Sequence, residues 1–107
     1  MTTKYLIKNV DVSGVISNIA IENELITAIG CNLQVEGATE FDFTGSVALP
    51  GLVDLHTHLR EPGKEDAETV LSGSQAAARG GFTAISAMAN TSPVADTAGV
   101  VEQVYRL

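Results

Sequence analysis

The chain has 107 residues, of which 45% are hydrophobic and 18% are charged. This length allows one domain of ordinary size at most, and the mean hydropathy of +0.20 is typical of folded rather than disordered proteins. Thirteen acidic and six basic residues give a net charge of −7 without a basic cluster, which argues against partners such as nucleic acid or anionic membranes.

The first 49 residues have the pattern of short β-strands. Between Lys4 and Gly30, β-branched and apolar runs alternate with polar residues, as in small antiparallel strands. The clearest pair is Asn18 to Ile21 with Leu25 to Ile29, joined by a turn in which Asn23 is best suited to the left-handed conformation. With a further strand at Thr39 to Phe43, this segment (1–49) is predicted to be part of a small β domain.

From residue 50 onward, the pattern predicts alternating strands and helices. Leu52 to Leu55 is a compact apolar strand that leads directly into His56, and Phe82 to Met88 is a second strand. A helix is predicted after each strand, an order that indicates parallel βα units. Two such units cannot close a barrel or cover a parallel sheet, so we expect residues 50–107 to be only the start of a larger fold.

Both predicted helices carry an apolar stripe. The first has Glu65, Asp66 and Glu68 in its expected first turn and ends at Gly80-Gly81, whereas the second is expected to be capped by Asp96. The stripes consist of Val70, Leu71, Ser74, Ala77 and Ala78 in the first helix, and of Val100, Val101, Val104 and Leu107 in the second.

His56 and His58 are the candidate metal ligands. Residues two apart in a strand point to the same side, so both imidazoles can converge just beyond the carboxyl end of the strand. Imidazole suits zinc and similar divalent metals. An isolated H-x-H triplet is nevertheless weak evidence, because two hydrogen-bonded surface histidines give the same pattern.

The surrounding residues resemble the first-strand signature of the dihydroorotase branch of the amidohydrolase superfamily. That similarity covers Pro50 to Gly63, continues through Ala76 to Thr83 and Met88 to Thr91, and extends to the strands between Ile19 and Gly30. It implies an α/β protein in which a small β domain (1–49) precedes the first two βα units of a TIM (β/α)8 barrel (50–107).

The resemblance also implies an activity, the reversible metal-dependent cyclisation of N-carbamoyl-L-aspartate to L-dihydroorotate. His56 and His58 would bind the more buried of one or two divalent ions, usually zinc, which activates water. The bridging ligand, the later histidines and the proton-shuttle Asp would lie beyond residue 107. We therefore expect no catalytic proton shuttle within this chain, and an inactive fragment if it is taken alone.

Two further residues match substrate contacts of the family. Arg60 corresponds to the residue that binds the substrate carboxylate, a role for which a planar guanidinium is suited. Asn90 corresponds to its partner after the second strand. The usual Met-Pro-Asn-Thr is Met-Ala-Asn-Thr here, with Ala89 replacing a proline that would stiffen this loop. Asp54 is predicted to be a supporting group rather than a ligand.

Other interpretations differ in the substrate or in the presence of catalysis. Allantoinase and dihydropyrimidinase (hydantoinase) open cyclic amides with a similar metal site, but dihydropyrimidines lack the carboxylate that Arg60 would bind. A non-catalytic dihydroorotase homologue would be expected to lose the histidines that this chain keeps. A stand-alone β module with a helical tail would leave both apolar helix faces uncovered.

The expected location is the cytoplasm. No apolar run approaches the roughly 20 residues of a membrane span, no signal-peptide pattern is visible, and the single Cys31 cannot form an intramolecular disulfide. We expect a small-molecule substrate as the partner, with no nucleic acid or membrane, and a homo-oligomer when the protein is complete.

Overall fold

The computed structural model of the protein describes residues 3–107, a mixed α/β chain made mostly of strands. The described part divides into two compact units, a first unit that ends at Pro50 and a second unit at Gly51–Leu107. Of the helices in the described residues, none is long and apolar enough to cross a membrane.

The first unit is a mixed sheet rather than the antiparallel arrangement predicted from the strand pattern. Its strands are β1 (Lys4–Val12), β2 (Val15–Glu22), β3 (Leu25–Gly30), β4 (Thr39–Asp42) and β5 (Val47–Ala48). The order is β3-β2-β1-β4, with β5 also paired to β1. The β1–β2 and β2–β3 pairs are antiparallel, as expected for hairpins, whereas β4 and β5 lie parallel to β1.

Both hairpins of the first unit turn through two residues with positive φ. Ser13 and Gly14 join β1 to β2 with φ of 54° and 88°, and Asn23 and Glu24 join β2 to β3 with φ of 49° and 69°. Two consecutive left-handed residues are what a two-residue hairpin turn requires, because they match the twist of the flanking strands. The predicted turn at Asn23 is confirmed, and Glu24 shares its conformation.

A small core lies on one face of the first sheet. Leu6, Val10 and Ala20 are 1%, 3% and 5% exposed, and the polar side chain of Asn18 is buried beside them. Asn18 Oδ1 accepts from the backbone N–H of Asn9 at 3.1 Å, and its Nδ2 donates to the carbonyl of Leu33 at 3.2 Å. Because a buried amide is costly unless it is hydrogen-bonded, this pairing is what permits its burial.

The second unit contains two parallel strands, each followed by a helix, as predicted. The elements are β6 (Leu52–Thr57), α1 (Val70–Arg79), β7 (Phe82–Ala87) and α2 (Ala98–Arg106). A further hydrogen bond links the two strands just past the end of β7, where Met88 N donates to the carbonyl of Thr57 at 2.8 Å. This bond brings the carboxyl ends of β6 and β7 together.

The helix starts differ from the prediction. Thr69 caps α1, its hydroxyl accepting from Ser72 N at 3.1 Å, so Glu65, Asp66 and Glu68 precede the helix instead of forming its first turn. Thr97, not Asp96, caps α2. In both cases a threonine hydroxyl in extended backbone satisfies a free N–H of the first turn. The predicted end of α1 at Gly80 is confirmed.

Apolar burial in the second unit is sparse. Leu59 is 7% exposed, and it lies over the buried Gly73 of α1, where an added Cβ would come within 2.6 Å of Leu59 Cδ2. In contrast, Leu55 of β6 and Tyr105 of α2 are 75% and 88% exposed. The second unit therefore buries few of its apolar side chains.

Candidate metal centre and substrate loops

The two histidines converge at the carboxyl end of β6. His56 lies within the strand and His58 is the first residue beyond it. Their Nε2 atoms are 3.2 Å apart, and the ring planes meet at 67° with centroids 5.0 Å apart. Strand alternation predicted this same-side arrangement, and the distance shows that the two Nε2 atoms face each other.

The separation of the two nitrogens suits a shared cation. A tetrahedral zinc ion with ligands at about 2.0–2.1 Å places two nitrogen ligands roughly 3.3 Å apart. The observed 3.2 Å matches that spacing, and it is also a hydrogen-bonding distance between two ring nitrogens. Within residues 3–107, no group of three or more His, Cys, Asp or Glu side chains is placed to hold a metal ion. The histidine pair can thus supply part of a ligand set.

Asn90, on the loop after β7, is hydrogen-bonded to His58. Asn90 Oδ1 lies 3.0 Å from His58 Nδ1. Since an amide oxygen only accepts, this contact requires the proton on His58 Nδ1, and Nε2 of the neutral ring is then the nitrogen with the lone pair. Metal-binding histidines commonly have their second nitrogen fixed in this way. The resemblance implied a substrate contact for Asn90, and it did not indicate this bond to His58.

Asp54 supports the backbone beneath the histidines. Its Oδ1 accepts from His56 N at 2.9 Å. This hydrogen bond to the backbone is the main reason that the pKa of the Asp54 carboxyl lies below its usual value. A carboxylate oxygen that accepts from the backbone in this way fits the supporting role predicted for Asp54.

Arg60 lies on the exposed loop that follows His58. Its backbone carbonyl accepts from Lys64 N at 2.9 Å. In the described part of the chain, the guanidinium has no hydrogen bond or ion pair, so Arg60 and Asn90 are not in direct polar contact. The five donors of Arg60 therefore remain available to a ligand.

Glu61 and Pro62 in this loop, and Ser92 in the loop after β7, were predicted only as loop residues. Glu61 Oε2 accepts from Val70 N at 2.8 Å, which attaches the loop to the start of α1. Ser92 N donates to the carbonyl of Pro62 at 2.9 Å, which attaches it to the loop after β7. The Glu-Pro-Gly sequence indicated a turn, but no local signal showed which segments the turn would contact.

Comparison with known proteins identifies the family. Residues 45–106, more than half of the chain, match the dihydro-orotase-like family. The chain belongs to the dihydro-orotase-like family. The resemblance inferred from the sequence motifs is thereby confirmed, and the match includes both histidines and both candidate substrate residues.

Dihydro-orotase-like relatives cover nearly the whole chain. A dihydroorotase of Streptomyces coelicolor is 58% identical over 106 residues, which is 98% of this chain and 25% of the relative. A dihydroorotase of Leifsonia xyli is 68% identical over 82 residues, 77% of this chain and 19% of the relative. A dihydroorotase of Listeria monocytogenes is 45% identical over 94% of this chain. The chain spans about a quarter of the length of the Streptomyces and Listeria relatives and 19% of the Leifsonia relative.

Proposed function

We propose that the complete protein is a dihydroorotase, a metal-dependent hydrolase that interconverts N-carbamoyl-L-aspartate and L-dihydroorotate in pyrimidine biosynthesis. The observation that carries the proposal is the convergence of His56 Nε2 and His58 Nε2 at 3.2 Å, at the end of a strand, in a chain of the dihydro-orotase-like family. The relatives named dihydroorotase support the same activity.

Zinc, as one or two ions, is the proposed cofactor, with His56 and His58 as ligands. A divalent ion at this site would polarise an amide carbonyl and lower the pKa of water. The role of His58 in the protein itself is to present Nε2 as a neutral donor, which its hydrogen bond to Asn90 Oδ1 favours. The remaining ligands and the proton-shuttle Asp are proposed to come from other parts of the complete protein.

The proposed architecture is a (β/α)8 barrel that begins with β6, preceded by part of a small β domain (1–49). The parallel pair β6–β7 and its helices have the order expected of the first two barrel units. The exposure of apolar side chains such as Leu55 fits strands that further elements would cover. A cytoplasmic location and a homo-oligomer belong to the same proposal.

The substrate carboxylate is proposed to bind between Arg60 and Asn90. Arg60 presents an unengaged guanidinium, the group best suited to bind a carboxylate with two parallel hydrogen bonds. Asn90 directs Oδ1 at His58, so its Nδ2 retains two N–H donors for an anion. The contact with His58 and the contact with substrate are therefore compatible in one side chain.

Arg60→Ala and Arg60→Lys in the complete enzyme test this proposal. Loss of one partner of a desolvated charged pair costs about 2–5 kcal/mol, so kcat/KM for dihydroorotate should fall by orders of magnitude. Lysine should not restore it, because an ammonium cannot form the planar pair of bonds. Metal content, measured by elemental analysis, should be unchanged.

Comparison with dihydrouracil, the same ring without the carboxylate, separates the alternatives. The wild-type enzyme should strongly prefer dihydroorotate. If it preferred dihydrouracil and Arg60→Ala behaved like the wild type, the protein would belong with the dihydropyrimidinases instead.

A further inference from the structure

The loops that follow β6 and β7 are joined at a point close to both proposed carboxylate-binding residues. Ser92 N donates to the carbonyl oxygen of the buried Pro62 at 2.9 Å. Ser92 follows Asn90 by two residues, and Pro62 follows Arg60 by two residues. This hydrogen bond thus fixes the distance between the two loops at a point close to Arg60 and Asn90.

Gly63 lies at the closest approach between these loops. A Cβ added at this position would lie 2.6 Å from Ser92 Cβ and 2.6 Å from Ser92 O. Both distances are far below van der Waals contact, and one of them is to backbone that cannot rotate away. The φ of Gly63 is also +109°, a conformation that other L-residues rarely adopt. Any side chain at 63 must therefore move the two loops apart.

The opposite side of the first loop is also fixed. Glu61 Oε2 accepts from Val70 N at 2.8 Å, at the start of α1. Within the loop, Gly63 N donates to Glu65 Oε1 at 2.8 Å, and Lys64 N donates to the carbonyl of Arg60 at 2.9 Å. Because the loop is attached on both sides, a side chain at Gly63 has to change the position of the segment that carries Arg60 relative to the loop that carries Asn90.

We infer that Gly63 is a positioning residue for substrate: its contact with Ser92 sets the separation of Arg60 and Asn90 and so determines how well both bind one carboxylate. The inference rests on the proposed function, since it concerns the same substrate contact. It assigns to Gly63 an effect on carboxylate binding that acts through Arg60, and no effect on the metal.

Gly63→Ala in the complete enzyme should lower kcat/KM for dihydroorotate by about ten- to a hundredfold, mainly through KM. A displacement of about 1 Å in a substrate-binding group has effects of this size. Metal content should stay at the wild-type level. Gly81→Ala is the matched control, because Gly81 has a φ of +86° but no atom within 4 Å of an added Cβ. It introduces the backbone strain without the contact, and its KM should stay close to that of the wild type.

A double-mutant cycle with Arg60→Ala distinguishes positioning from a general structural effect. In the Arg60→Ala background, Gly63→Ala should raise KM no further, because the group that it misplaces is already absent. Suppose that Arg60→Ala raises KM, as the proposed function requires. The positioning role is then wrong if Gly63→Ala leaves KM unchanged, and it is also wrong if Gly63→Ala raises KM equally in the wild-type and Arg60→Ala backgrounds. In both cases the proposed function stands. If Arg60→Ala alone leaves KM unchanged, the proposed carboxylate contact fails, and the role of Gly63 fails with it.

A second pair of variants decides the matter if Gly63→Ala does not fold, as judged by thermal melting. Glu61→Ala removes the attachment to Val70 N without adding atoms, whereas Glu61→Gln retains an oxygen that can accept the same hydrogen bond. Glu61→Ala should raise KM only when Arg60 is present, and Glu61→Gln should restore a nearly wild-type KM. Equal KM values for Glu61→Ala and the wild type would overturn the inference.

Discussion

The two units of the chain differ in how much apolar core they bury. In the first unit, Leu6 and Val10 are 1% and 3% exposed, and the sheet has a buried core. In the second unit, Leu55 and Tyr105 are 75% and 88% exposed, while hydrogen bonds define the cap of α1, the contact between His58 and Asn90, and the junction between the loops. The first unit thus buries more apolar side chains than the second, although both units also expose large ones such as Leu25 and Leu55.

This difference predicts where substitutions will act. Substitutions in the core of the first unit should lower the free energy of unfolding without direct effects on the metal. Substitutions at the candidate site should change metal binding or KM more than stability, because the side chains concerned are largely exposed in the second unit. Variants of the complete protein test whether stability effects and site effects separate in this way.

The largest effect is expected at the histidines. His56→Ala or His58→Ala should remove the metal and reduce turnover to background, because each substitution deletes one of few direct ligands. Elemental analysis and dihydroorotate turnover measure the two outcomes. Cys31→Ala is the control, because Cys31 is exposed and lies in the first unit. Full metal occupancy in either histidine variant would refute the ligand assignment.

A smaller effect, confined to stability, is expected at Asn18. Asn18→Ala leaves the N–H of Asn9 and the carbonyl of Leu33 without their partner, and an unsatisfied buried polar group costs about 1–3 kcal/mol. The denaturation midpoint should fall while metal content is retained. Asn32→Ala, at an exposed position of the same unit, should leave the midpoint unchanged. If Asn18→Ala lost metal while its denaturation midpoint stayed unchanged, the expectation that the first unit affects stability and not metal binding would be wrong.

The smallest effect concerns the acid stability of the first unit. The side chain of Thr44 donates to Asp42 at 2.7 Å and its backbone N–H donates at 2.9 Å, which together hold the pKa of the Asp42 carboxyl below its ordinary value. A carboxyl with a lowered pKa in the folded state adds stability above its unfolded pKa and loses that stability as the pH falls through the folded value.

Asp42→Asn should therefore lower the melting temperature slightly at neutral pH, and its difference from the wild type should shrink toward the acid end of a melting series from pH 7 to pH 3. Thr44→Val removes one of the two donor groups and should show the same trend with a smaller amplitude. A constant difference between Asp42→Asn and the wild type at every pH would exclude this linkage.

Local patterns predicted much of this structure. Alternation along a strand predicted that His56 and His58 share a side, and turn chemistry predicted the left-handed Asn23, because both depend on a few neighbouring residues. The order of strands and helices predicted the parallel pairing of β6 and β7. The ligand roles of the histidines remain a prediction that rests on the family and on their geometry.

Features set by contacts between distant segments were predicted less well. The parallel pairing of β4 and β5 with β1 joins residues more than thirty positions apart, and no local signal specifies it. Acidic residues before α1 suggested a helix start that Thr69 supplies instead, since a single hydroxyl in the right backbone conformation decides the cap. The contact of Gly63 with Ser92 was missed for the same reason.

The hydrogen bond between Asn90 and His58 has a consequence for redesign. Under the proposed assignments, Asn90 supports the metal ligand His58 with its oxygen and binds substrate with its nitrogen. Aspartate at position 90 would keep the acceptor oxygen but repel a carboxylate, and alanine would lose both the acceptor oxygen and the N–H donors. A designer who retargets the enzyme toward uncharged rings can alter Arg60 freely, but Asn90 must keep its acceptor oxygen even when there is no longer an anion to recognise.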